Sequence, residues 1–89
     1  MNIVWHESKR KKNRHKHKFD LADAVRVFTG PTITMEDDRV NYDEQRFNTL
    51  GLLGTTVVCI SHTESEDCIR VFSMRKAQTD EIKTFYSYL

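Results

Sequence analysis

The chain has 89 residues, 38% hydrophobic and 30% charged, the balance of one globular domain rather than a disordered segment. A domain of this size hides only about 60–65% of its unfolded surface, which excludes a deep, large substrate cavity. Net charge is +1, but residues 1–18 hold seven Lys/Arg against one acid (+6) and residues 19–89 hold seven against twelve (−5). A polyanion partner suits the first segment and a basic protein partner the second.

Ile3-Val4-Trp5 is a short apolar opening, read as an edge strand or a tucked start, with Trp5 packing on a sheet. Glu7 to Lys18 carries Lys, Arg, His and Asn without Pro or Gly. It reads as a basic helix or as a mobile arm, because a helix polar all round is marginal without partners. Leu21, Ala24, Val25 and Phe28 then repeat at i, i+3, i+4 and i+7, one apolar helix stripe. Asp20 is its N-cap, and Gly30-Pro31 ends it.

Thr32 to Glu36 alternates and reads as a strand. Glu36-Asp37-Asp38-Arg39 and Asn41-Tyr42-Asp43-Glu44 are polar and turn-rich. Strands follow over Arg46–Leu52, Thr55–Thr63 and Cys68–Met74, joined by short connections that make them antiparallel neighbours. Ile82, Phe85, Tyr86 and Leu89 repeat the helical stripe, with Thr79 as N-cap. The expected fold class is α+β: a short N-terminal strand, two helices, an antiparallel meander and a C-terminal helix.

Several classes drop out. The longest apolar run, Val57 to Ile60, is too short for a bilayer. The amino terminus does not read as a signal peptide. Cys59 and Cys68 make no disulfide framework and are expected to be buried thiols in a reducing compartment. His15 and His17, two apart, fit no metal-site spacing, and three glycines make no phosphate loop. No metal or cofactor is expected.

His62, Thr63, Glu64, Arg70, Arg75 and Lys76 cluster on and after the last two strands. One at a time, each is more readily a surface or core residue. Together they provide an imidazole, a carboxylate and cations, the minimum for cutting RNA without metal. A base takes the proton of a 2′-hydroxyl, the oxygen attacks phosphorus, arginines hold the phosphoryl oxygens, and an acid protonates the leaving 5′-oxygen. The product is a 2′,3′-cyclic phosphate, and DNA is spared. Strand register decides whether the groups meet. A three-residue turn puts His62 beside Arg70; a two-residue turn puts it beside Ile69 and sends Arg70 to the other side. The shared face is the preferred reading, because Ile69 and Val71 then line the side that helices cover.

Trp5, Asn13, Lys16-His17, Ala24, Val27-Phe28, the block from Glu36 to Arg39, Tyr42, Glu44, Arg46-Phe47 and Gly51 occur in the order of a known family. The strongest pieces are His62-Thr63-Glu64, Ile69-Arg70 and Ser73-Met74-Arg75-Lys76-Ala77. By these blocks the chain resembles the BrnT toxins of bacterial type II toxin–antitoxin systems over nearly its whole length, as one domain spanning 1–89 with a basic helix at about 7–18. It departs from the family at Lys18, where members usually have Gly, and at Ser65, where many have Arg. The Lys18 departure predicts a different turn between the helices.

The resemblance implies a RelE-like ribonuclease that inhibits translation in the bacterial cytoplasm. It implies a BrnA-like ribbon–helix–helix antitoxin, two toxins assembling with two antitoxins, and contact with DNA only through the antitoxin. The expected catalytic residues are His62, Glu64, Arg70 and Arg75, and the expected RNA-binding residues are Lys16, His17, Arg46 and Lys76. The rival readings are a non-catalytic nucleic-acid-binding module centred on residues 9–18 and a degenerate toxin kept as an antitoxin scaffold.

Overall fold

The computed structural model describes residues 2–38 and 44–89, so Arg39 and the expected turn residues Asn41, Tyr42 and Asp43 lie outside the described residues. The elements in order are β1 (Asn2–Val4), α1 (Glu7–His17), a 3₁₀ turn (Leu21–Asp23) running into α2 (Ala24–Phe28), β2 (Thr32–Asp37), β3 (Arg46–Leu53), β4 (Thr56–Ser65), β5 (Cys68–Lys76) and α3 (Thr79–Ser87). The sheet order is β1-β5-β4-β3-β2. β2 to β5 form the expected antiparallel meander, and β1 adds in parallel beside β5. The fold is α+β, as the sequence predicts. Among the described residues no helix is long and apolar enough to cross a membrane.

Helices cover the two sheet faces unequally. On one face, Leu21, Ala24 and Val27 pack onto Val58, Ile60, Ile69, Val71 and Met74. Gly51 permits the close approach: a Cβ there would stand 2.5 Å from a Val27 methyl. On the other face, α3 covers only one end, where Phe85 and Ala77 pack with Leu50, Val57 and Cys59. The rest of that face has no helix packed on it among the described residues.

The basic segment is a helix, and two anchors explain why. Asn13 is its only buried residue. Asn13 Nδ2 donates to the Phe19 and Met74 carbonyls, both at 2.9 Å, and Oδ1 accepts from the Met74 N–H at 2.9 Å. The side chain thus pairs with β5 as a neighbouring strand would, where β1 no longer does. Arg10 donates to both oxygens of Asp20, at 2.7 and 3.0 Å. That pair and the Ala22 N–H hold the Asp20 carboxyl down at about 2. Asp20 caps the 3₁₀ turn as expected. Lys18 itself adopts the left-handed conformation (φ 66°) that ends the helix, so glycine's geometry is kept without glycine. At α3 the N-cap is Gln78 rather than Thr79, with a reciprocal bond to Glu81.

Candidate functional site

A two-residue turn, Glu66-Asp67, joins β4 to β5 and sets the register: Ser65 opposite Cys68, Glu64 opposite Ile69, Thr63 opposite Arg70. The ladder then slips. Ser61 faces Ser73 while His62 faces Val71, so Phe72 is an extra residue on β5. In a regular strand Arg70 and Arg75, five apart, would point to opposite faces. Across the bulge they point to the same one. Ile69, Val71 and Met74 all enter the helix-covered core for the same reason.

The half-open face therefore gathers a specific set. Arg70 lies opposite Thr63, Arg75 opposite Cys59, and Arg46 opposite Asp37. Phe72 lies close to two of these cations, with the Arg46 and Arg70 guanidinium carbons 4.5 and 5.3 Å from its ring centre. A polar row crosses the middle strands: Asn48, Ser61 and Ser73 stand in register, and Ser61 donates to Asn48 Oδ1 at 2.8 Å. Acids accompany the arginines. Arg70 donates to Glu44 at 2.7 Å. Arg75 holds both oxygens of Glu81 at 2.8 and 3.0 Å and pushes that carboxyl below its usual range.

One side of α1 extends this surface along its length. Lys9, Lys12, Asn13, Lys16 and His17 line a groove of about 220 Å³ with Phe72 and Ser73. His17 is half-buried there. Burial, then Lys16, then Arg75 push its imidazole below the usual histidine range.

The expectation that His62 and Arg70 share a face is corrected. With Glu66-Asp67 as the turn, His62 falls beside Val71 on the helix side, not beside Ile69. It is 0% exposed, between the Phe28 and Phe47 rings. Its Nε2 bonds Thr49 Oγ1 at 2.6 Å, and Thr49 bonds Thr34 at 2.7 Å. Its Nδ1 stands 3.8 Å from Glu64. Burial holds the ring below the usual histidine range, against the pull of Glu64. Placed so, it does not reach a phosphate on the arginine face.

The other expected residues divide. Glu64 stands opposite Ile69 at the hairpin end, so alternation turns it to the helix side with His62; it borders both the groove of Val25, Phe28 and Ile69 and a groove of about 380 Å³ with Arg70, Thr63 and Glu44. Lys16, His17 and Arg46 border the arginine face or its groove. Lys76 stands opposite Val58, so strand alternation turns it to the other side. Cys59 is buried, but Cys68 is only partly so, which corrects that expectation. Trp5 packs against the helix-side core as expected. Sequence reading missed Phe72, Ser73, Asn48 and Ser61. The one available signal was Phe72-Ser73 breaking the apolar alternation of β5.

No curated protein matches the chain. Residues 5–81 match the family model described as ribonuclease toxin, BrnT, of type II toxin-antitoxin system. With three arginines brought to one sheet face beside a basic helix, and with that match covering most of its length, the chain belongs to the BrnT family of ribonuclease toxins.

Proposed function

We propose that the chain is a metal-independent endoribonuclease that binds single-stranded RNA on the arginine face and cuts it by 2′-hydroxyl attack. The observation that supports this best is the bulge at Phe72, which aligns Arg70 and Arg75 on the side where Arg46 and Phe72 already lie. Guanidinium forks suit the phosphoryl oxygens, whose charge grows as the 2′-oxygen attacks. Phe72 offers a ring on which a base stacks. Lys9, Lys12 and Lys16 continue the track along the strand. Glu64, at the hairpin end where it borders a groove with Arg70, is the carboxylate available for proton exchange in this reading.

The partner in this reading is a BrnA-like ribbon–helix–helix antitoxin, two with two toxins, and the acidic remainder of the chain (−5 over residues 19–89) suits a basic stretch of it. DNA is then met through the antitoxin.

The test is incubation of purified protein with RNA in excess EDTA. Cleavage leaving 2′,3′-cyclic phosphate and 5′-hydroxyl ends is expected. Salt-sensitive binding without cleavage supports the binding module instead. Antitoxin binding with neither supports the scaffold.

A further inference from the structure

We propose that His17, in the last turn of α1, is the imidazole that takes the proton from the attacking 2′-hydroxyl. The inference rests on the nuclease reading above and assigns a residue that reading leaves open. The chain has four histidines. His62 is sealed on the helix side of the sheet. His6 is exposed at the start of α1, at the other end of that helix. His15 lines a separate groove with Lys11, Lys12 and Lys16. Only His17 shares a groove with Phe72 and Ser73 of the arginine face.

Its surroundings suit a base. Lys9, Lys12 and Lys16 line the same groove from α1. Arg75 acts on it from β5, and Arg75 is itself paired with Glu81 of α3. Partial burial, then Lys16 and Arg75, favour the neutral ring, which is the form that accepts a proton. Asn13, one helical turn earlier, fixes α1 on the β5 backbone and so fixes where His17 stands.

The step balances without a co-reactant. The 2′-hydroxyl proton passes to the neutral imidazole as the O2′–P bond forms and the P–O5′ bond breaks. The leaving 5′-oxygen takes a proton from water, and the imidazolium neutralises the resulting hydroxide. The products are a 2′,3′-cyclic phosphate and a 5′-hydroxyl.

The experiment compares the parent chain with His17→Gln and His17→Ala. It measures single-turnover cleavage against pH in EDTA, and affinity for an all-2′-O-methyl RNA that cannot be cut. His17→Gln is expected to slow cleavage at least about 100-fold. It should lower affinity for the methylated RNA far less than it lowers the rate, and remove the rise of rate with pH that reports a base. Added imidazole should restore part of the His17→Ala rate. Three results overturn the assignment alone: His17→Gln cuts like the parent, its rate loss is matched by lost affinity, or imidazole restores nothing to a folded His17→Ala. A parent chain that cuts no RNA overturns the nuclease reading, and the assignment with it.

Discussion

Arg70 and Arg75 lie five residues apart on one strand yet point to the same face of the sheet, because Phe72 is an extra residue in the ladder between them. The two arginines are not held alike. Arg70 pairs with Glu44, and both side chains are 40% or more exposed. Arg75 grips Glu81, which also accepts from the Gln78 N–H at the start of α3.

Substitution should therefore separate catalysis from folding at one position and mix them at the other. Arg70→Ala should lower cleavage about 100-fold while costing under about 1 kcal/mol of stability. Arg75→Ala should lower cleavage similarly but also loosen α3, at about 1–2 kcal/mol. Glu81→Gln is the control for the second effect. Cleavage rates and urea melts of the three variants check this; an Arg70→Ala variant with parental cleavage contradicts it.

Phe72 should act through binding. Its ring lies near Arg46 and Arg70 on the half-open face, and stacking a base on such a ring contributes about 1–3 kcal/mol. Phe72→Ala should weaken binding of uncleavable RNA about tenfold or more, and Phe72→Trp should keep it. Fluorescence anisotropy titrations at fixed salt measure both. Equal affinity in Phe72→Ala would remove the ring from the binding surface.

Asn13 ties α1 to the sheet with two hydrogen bonds to the Met74 backbone and holds the following loop with a third to the Phe19 carbonyl. Asn13→Ala leaves the Met74 N–H and C=O buried without that partner, which should cost about 2–4 kcal/mol. Because α1 then shifts against β5, the variant should also bind RNA more weakly. Thermal melts, with circular dichroism for helix content, test the point; an unchanged melting temperature contradicts it.

These features mark where sequence reading succeeds and where it stops. Leu21 to Phe28 and Ile82 to Leu89 announce their helices because a 3.6-residue stripe is a local property. The strands of the meander are visible because their connections are short. The bulge is not visible: it depends on how β5 pairs with β4, and strict alternation from Arg70 puts Arg75 on the wrong side. His62 reads as a partner of Arg70 for a different reason: a three-residue turn is expected where Glu66-Asp67 make a two-residue one. Asn13 is equally hidden, because its partners on the sheet are Met74 main-chain atoms 61 residues away. The family was legible because it is carried by residue types in order, and residues 5–81 bear it out.

His62 gives the fold a defined response to acid. Burial keeps its folded pKa below the ordinary value of about 6.5. The unfolded chain therefore takes up the proton first, and stability is full above about 6.5 and falls as pH drops below it toward the folded value. His17, also lowered, adds a contribution of the same sign. Melting temperature should fall between pH 7.5 and pH 5 (roughly the histidine window), and His62→Gln should flatten part of that slope. A His62→Gln chain with the parental slope contradicts the assignment of the effect to this ring.

The measurement closest to the central claim is amide chemical-shift mapping of isotope-labelled chain titrated with all-2′-O-methyl RNA. Shifts should gather at Asn48, Ser61, Arg70, Phe72, Ser73, Arg75 and His17, with Val25, Phe28 and Ile69 unmoved. Shifts confined to Val25, Phe28 and Ile69, with Phe72 and Ser73 still, would place the RNA on the helix side and contradict the account.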